Sequence, residues 1–327
     1  MESPCLSAGK IRALQTASTP NGIFKILAID HRDSLRVLLS PDHPGNVLAS
    51  TLTDLKLTII KHTAPYATAV MLDPVYSAGQ AVVACALPGQ VGFLVALEEQ
   101  GYLGDPHARQ TPLLSGWSPE KAKRLGASGV KLLMYYHPDS EASWDQEDTI
   151  RAVIAECARY EIPLFLEPLF YALDRRISVN SADFAAQRRR VIVETVRRLS
   201  ALGPDILKIQ FPVDVTREPD INIWKDACAE LDEAAAVPWA LLSAGDPFDS
   251  FKVALEVACQ AGCSGFMAGR ALWREVVGAA QHDQAAILAE VVGPRFQELS
   301  QIADRYGKGW QRKYRFPPID EAWYRTY

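Results

Sequence analysis

The chain has no apolar run long enough to span a bilayer, which argues against a helical membrane protein. Met1 to Thr19 lack a basic start followed by an apolar stretch, so no secretory signal is expected and the reading is cytoplasmic. Six cysteines in 327 residues are too few and too scattered for a disulfide scaffold. Cys259 and Cys263 are four apart but have no second ligand pair, so they read as small core residues. No basic tract marks a nucleic-acid footprint. Arg188-Arg189-Arg190 falls in a helical pattern, where a solvated face explains it. No Gly-rich dinucleotide turn follows the first strand. No His/Asp/Glu set for a metal stands out, and His31 and His137, the histidines near strand ends, read as hydrogen-bonding groups.

What is present is an ordinary core-forming composition, 48% hydrophobic and 22% charged, with a net charge of −5. Short apolar strands alternate with amphipathic helices along the whole length. Strands are expected at Phe24–Asp30, Ala67–Leu72, Gly92–Leu97, Val130–Tyr135, Pro163–Pro168, within Asp205–Val213, at Pro238–Leu242 and at Gly265–Arg270. Helices are expected over residues 47–63, 77–86, 144–160, 181–201, 218–235 and 247–261, with another opened by Ser118-Pro119. A long helical region from about 271 to 306 is expected to break near Gly293-Pro294, and the aromatic, basic tail from Trp310 to pack on the outside. The loop from the third strand to Ser115 is long enough to be an active-site cover or a contact surface.

Eight strand–helix units without a composition break predict a single (β/α)8 TIM barrel. Its core covers about residues 20–305, with a C-terminal helical extension and a tail at 306–327. A doubly wound open sheet is the alternative. In such a barrel function sits where the strands stop. Those ends carry Asp30, Asp73, Lys131, Glu167, Lys208, Ser243 with Gly245, and Gly269 with Arg270. Each has a bland alternative: Asp30 as a cap, Glu167 as an arginine partner, Lys131 as a strand-edge charge, Ser243-Ala244-Gly245 as a tight turn. Together at one rim they favour function.

Within Ile206-Leu207-Lys208-Ile209-Gln210-Phe211, side chains alternate, so Lys208 lies opposite Leu207, Ile209 and Phe211. With that apolar face packed under a helix, Lys208 points into the barrel. A lysine snorkelling to solvent is the competing account. A buried amine resists protonation, and a second ammonium such as Lys131 adds to that effect. Glu167 on the neighbouring strand is placed to carry protons. Small residues ending strands seven and eight let backbone N–H groups approach an anion, and Arg270 adds a fork of donors. An amine, an acid/base and an anion clamp are the parts a Schiff-base aldolase requires.

At these residues the sequence resembles the tagatose 1,6-bisphosphate aldolase (LacD-type) family of class I aldolases. The resemblance rests on Ala28-Ile29-Asp30-His31-Arg32, Val130-Lys131-Leu132-Leu133-Met134-Tyr135-Tyr136, Phe165-Leu166-Glu167-Pro168-Leu169, Leu207-Lys208-Ile209-Gln210-Phe211-Pro212-Val213, Leu242-Ser243-Ala244-Gly245 and Ala268-Gly269-Arg270-Ala271-Leu272-Trp273. It implies Lys208 as the Schiff-base lysine, Glu167 as its acid/base and Lys131 in the site. It also implies Ser243, Gly245, Gly269 and Arg270 around a terminal phosphate, with Asp30 and His31 on the substrate side. No cofactor or metal is implied. The implied substrate is a phosphorylated sugar such as tagatose 1,6-bisphosphate, split into dihydroxyacetone phosphate and glyceraldehyde 3-phosphate. A homo-oligomer is expected, with no nucleic-acid or membrane partner. The chain departs from the family in reading Asp30-His31-Arg32-Asp33-Ser34 for Asp-Gln-Arg-Gly-Ser, and Gln210 for Glu. Two alternatives stand beside this one: an aldolase for 6-deoxy-6-sulfofructose 1-phosphate, and a non-catalytic barrel that binds sugar phosphates.

Overall fold

The computed structural model describes residues 4–178, 181–325 and 327. In chain order it runs α1 (Ala8–Ala17), β1 (Phe24–Ala28), α2 (Asp33–Leu39), α3 (Ala49–Thr63), β2 (Ala69–Leu72), α4 (Ala78–Val83), β3 (Gly92–Ala96), α5 (Pro119–Leu125) and β4 (Gly129–Tyr135). It continues α6 (Ser143–Arg159), β5 (Leu164–Leu169), α7 (Ala182–Ser200), β6 (Ile206–Ile209), α8 (Ile221–Ala234), β7 (Trp239–Leu242), α9 (Phe248–Ala261) and β8 (Gly265–Ala268). It closes with α10 (Arg270–Val277), α11 (Gln284–Ile287) and α12 (Gly293–Tyr306). Neighbouring strands are parallel and β8 returns to β1, so the sheet closes into a TIM barrel with a C-terminal helical extension.

Two apolar layers follow from the strand alternation. Leu27, Val70, Val95, Leu166, Leu207 and Leu241 face outward and pack under the helices. Phe24, Ile26, Ala28, Met71, Leu94, Phe165, Ile206, Ala240 and Met267 face inward and fill the lower barrel. Two residues further along the same inward faces the chemistry changes from apolar to charged. Asp30 follows Ala28, Glu167 follows Phe165, and Lys208 follows Ile206. The barrel is a hydrocarbon floor with a charged layer resting on it.

The floor is sealed from below. Leu14 and Ala17 of α1 and Trp310 of the tail join the inward-facing cluster. Trp310 Nε1 donates to Ser18 Oγ at 3.0 Å, and Lys10 Nζ reaches both carboxylate oxygens of Asp205, at 2.9 and 2.8 Å. The tail was expected on the outside. Trp310 instead is fully buried under the barrel, where its indole takes the apolar lower end of the cylinder out of water.

A second expectation also changes. The C-terminal helical region does not break at Gly293-Pro294. It runs through a π-helical turn, Leu288–Val292, directly into α12, where Pro294 sits in the first turn and its missing N–H costs little. The interruption lies earlier, between α10 and α11, beginning at Gly278. The helix expected over 77–86 is trimmed to Ala78–Val83.

Candidate active site

A cavity of about 270 Å³ opens at the C-terminal ends of the strands. Its walls include Asp30, His31, Lys131, Glu167, Lys208, Ser243, Gly245, Gly269 and Arg270, so these candidates named from sequence meet in one place. Lys208, Glu167 and Lys131 are no more than 5% exposed, which rules out a lysine snorkelling to bulk water.

The centre is a pair of lysines sharing one carboxylate oxygen. Glu167 Oε2 lies 2.8 Å from Lys208 Nζ and 3.0 Å from Lys131 Nζ. It is buried and accepts no aligned hydrogen bond from either, so both contacts are electrostatic. The two amines differ in their other neighbours. Lys131 also donates to Asp30 Oδ2 at 2.8 Å and Glu98 Oε1 at 2.7 Å. Lys208 has Met71 Sδ at 3.6 Å, a weak acceptor on the floor.

These contacts set charge states. Burial works against charge on Lys131, but Asp30, Glu167 and Glu98 outweigh it and hold its pKa well above the ordinary value. Burial alone would raise Asp30. The neighbouring Lys131 ammonium, with Lys208 beside it, instead holds it well below the usual carboxylate range. His31 is pushed down to about 3, chiefly by burial, with Asp30 opposing, so its ring is neutral at physiological pH. Among the described residues, no group of three His, Cys, Asp or Glu side chains is arranged to hold a metal ion. Three carboxylates, Asp30, Glu98 and Glu167, converge on the Lys131 ammonium instead.

Across the cavity the ends of β7 and β8 make a cradle. Ala244 and Gly245 both have left-handed backbone, φ 49° and 87°, which turns this segment back under the Arg270 guanidinium. A Cβ on Gly245 would sit 3.1 Å from Arg270 Cζ, and one on Gly269 would sit 2.8 Å from His31 Cε1 and 2.9 Å from the Ala28 carbonyl. Glycine here is what lets arginine, imidazole and backbone share the space. Ser243 Oγ accepts from Gly269 N at 3.4 Å. Arg270 occupies the first position of α10, where helix N–H groups add to its charge. Its Nε and the Nδ1 of His31 are buried without a partner, and both line the cavity. Buried polar atoms left unpaired are costly, so they mark where a ligand's polar atoms fit.

Asp73 does not belong here. It heads β2's exit, but its Oδ1 accepts from Val75 N and Tyr76 N at 2.9 and 2.7 Å, while its Oδ2 takes Ser77 Oγ and the buried Lys56 ammonium. Capping its own turn swings the carboxylate away from the barrel axis. Lys131 is corrected in position too: it is the third residue of β4, not its end, and reaches the rim by its length. Glu98 and Arg32 were missed. Glu98 is buried, its Oε2 accepts from Leu133 N at 3.0 Å, and Arg32 Nη2 holds its carbonyl at 2.6 Å. Gln210 lines the cavity and accepts from Phe170 N at 3.1 Å. The loop after β3 does cover the site: Glu99, Gln100 and Gly101 line it, and Arg109 stacks 4.4 Å from the Tyr102 ring and 5.0 Å from that of Tyr135.

A family model described as DeoC/LacD family aldolase matches residues 24–275. The chain belongs to this aldolase family. Two relatives carry a more specific name. A tagatose 1,6-diphosphate aldolase of Streptococcus agalactiae serotype V is 29% identical over 328 residues, covering 94% of this chain and 99% of that protein. A tagatose 1,6-diphosphate aldolase 2 of Streptococcus mutans serotype c is 31% identical over 284 residues, covering 82% of this chain and 85% of that protein. Among solved structures, an archaeal fructose-1,6-bisphosphate aldolase, with its catalytic Lys covalently bound to a carbinolamine intermediate, matches with a TM-score of 0.56 and 17% identity, covering 88% of this chain and 99% of that one. A Plasmodium falciparum fructose-bisphosphate aldolase matches with a TM-score of 0.66 and 15% identity, covering 94% and 99%. At these identities the solved structures support the fold.

Proposed function

We propose that the protein is a class I aldolase that cleaves a ketohexose bisphosphate, tagatose 1,6-bisphosphate or a close stereoisomer, into dihydroxyacetone phosphate and glyceraldehyde 3-phosphate. The observation that carries this reading is the 2.8 Å contact between Lys208 Nζ and Glu167 Oε2 in a buried cavity that also holds an anion cradle. Membership of the aldolase family and the names of the full-length relatives support it.

The Lys208 amine attacks the C2 ketone and forms a C–N bond, and the carbonyl oxygen takes up a proton. Loss of that oxygen as water leaves an iminium, an electron sink. The C4 hydroxyl then gives up its proton, the C3–C4 bond breaks, and its electron pair moves to the iminium nitrogen as an enamine. Glyceraldehyde 3-phosphate leaves. Protonation of the enamine at C3 and addition of water release dihydroxyacetone phosphate and the free amine. Glu167, touching the amine, carries these protons. Asp30 is held ionised and is a poor proton carrier, so its role is to keep Lys131 charged. Arg270, the helix N-terminus and the Ser243–Gly245 turn anchor the C1 phosphate.

The test is a substrate panel on purified protein, comparing kcat/KM for tagatose 1,6-bisphosphate, fructose 1,6-bisphosphate and 6-deoxy-6-sulfofructose 1-phosphate. The expected result is cleavage of a bisphosphate, undiminished by chelators. No cleavage of any of the three by folded protein would overturn the reading.

A further inference from the structure

Two lysines face one carboxylate oxygen at nearly equal distance, and a Schiff-base mechanism needs one of them neutral and the other charged. We infer that Glu98 is the positioning residue that makes this choice, by fixing the proton on Lys131 and leaving Lys208 as the amine that can react. The inference rests on the aldolase reading above and extends it to a residue with no assigned role.

The asymmetry is geometric. Glu167 Oε2 stands 2.8 Å from Lys208 and 3.0 Å from Lys131, so Glu167 barely distinguishes them. Asp30 and Glu98 distinguish them, at 2.8 and 2.7 Å from Lys131 Nζ. Both line the cavity, but Asp30 also faces His31 Nδ1, 4.0 Å from its Oδ1. Glu98 has no such second task. One oxygen is spent on Lys131, the other on Leu133 N, and its carbonyl is pinned by Arg32. The same strand therefore carries Lys131 and, two residues on, the N–H that orients the carboxylate facing it. The charged or titratable groups around Lys131 are Asp30 and His31 beyond β1, Glu98 beyond β3, Tyr135 on β4, Glu167 on β5, Lys208 on β6 and Arg270 beyond β8. Among them Glu98 is the carboxylate whose bonds are confined to Lys131 and the backbone.

Glu98→Gln keeps an oxygen for Leu133 N and removes the charge from Lys131. An opposite charge this close is worth about one to three pKa units, so Lys131 should lose its proton earlier. The alkaline limb of kcat/KM is expected to move to lower pH by at least about one unit. Glu98→Asp keeps the charge and should leave that limb near its wild-type position even if kcat falls through lost reach. A limb unmoved in folded Glu98→Gln, with only kcat lowered, means a structural role and overturns the inference.

A second measurement needs no variant. Cyanate carbamylates only neutral amines, so brief labelling of the wild-type protein at pH 8 followed by peptide mapping should mark Lys208 faster than Lys131. Equal labelling overturns the inference while leaving the aldolase reading intact. Absence of cleavage by the wild-type protein removes both.

Discussion

The two ends of the barrel solve the same problem in opposite ways. Each must deal with charged groups taken out of water. At the lower end Lys10 and Asp205 satisfy one another with two short bonds, and Leu164 N adds a third to Asp205. Around them α1 and Trp310 seal an apolar plug. At the upper end three carboxylates crowd one ammonium, a second amine leans on an oxygen that accepts no aligned hydrogen bond, and Arg270 Nε and His31 Nδ1 have no hydrogen-bond partner among the described residues. A closed set of bonds is what stability selects. An unfinished set is what binding and proton transfer need. The contrast assigns stability to the base and chemistry to the mouth.

The sharpest way to break that division is to exchange the expected consequences. Lys208→Met should lower cleavage by at least about a thousandfold. It should leave the melting temperature near wild type, because among the described residues the polar contacts of Nζ are to Glu167 and Met71. Coupled product assays and calorimetry measure the two sides. Lys10→Met should do the reverse. Stranding buried Asp205 costs about 3–5 kcal/mol in urea unfolding, while kcat per folded molecule stays the same. Arg270→Gln comes next. Losing charged donors to a phosphate, about 1.5–3 kcal/mol, should raise KM by roughly ten- to a hundredfold with a smaller change in stability.

The smallest effect is in pH. His31 is pushed down to about 3 and His137 to about 4, both chiefly by burial. Each therefore binds its proton more readily in the unfolded chain, whose histidines titrate near 6.5. Their stabilisation is complete above pH 6.5 and drains away as pH falls toward 4. Urea midpoints at pH 7.5 and 5 should show the drop, and His137→Gln should flatten it. An unchanged slope in that variant would contradict the assignment.

Much of this arrangement was readable in the sequence, for a physical reason. Parallel strands buried on both faces are short and apolar, so a charge at a strand end stands out. Lys208, Glu167 and Asp30 were visible in this way, and each sits two residues beyond an inward-facing apolar side chain. Glu98 obeys the same rule, Leu94–Ala96–Glu98, yet it was lost because Glu99 follows and two acids opening a long loop look like solvent-facing polarity. Asp73 shares the inward parity of Ala69 and Met71 but misleads, since hydrogen bonds from its own following turn outcompete the alternation. Pro294 misleads because a π-turn ahead of it absorbs the irregularity. The sealing of the base by α1 and Trp310 had no local signature, because it depends on residues 292 apart, such as Ser18 and Trp310, meeting in space.

One measurement bears on the central claim without intermediaries. Wild-type protein incubated with dihydroxyacetone phosphate and borohydride, then digested and mapped by mass spectrometry, should carry the reduced adduct on Lys208. A folded protein that traps nothing, or that carries the adduct on Lys131 instead, would contradict the account.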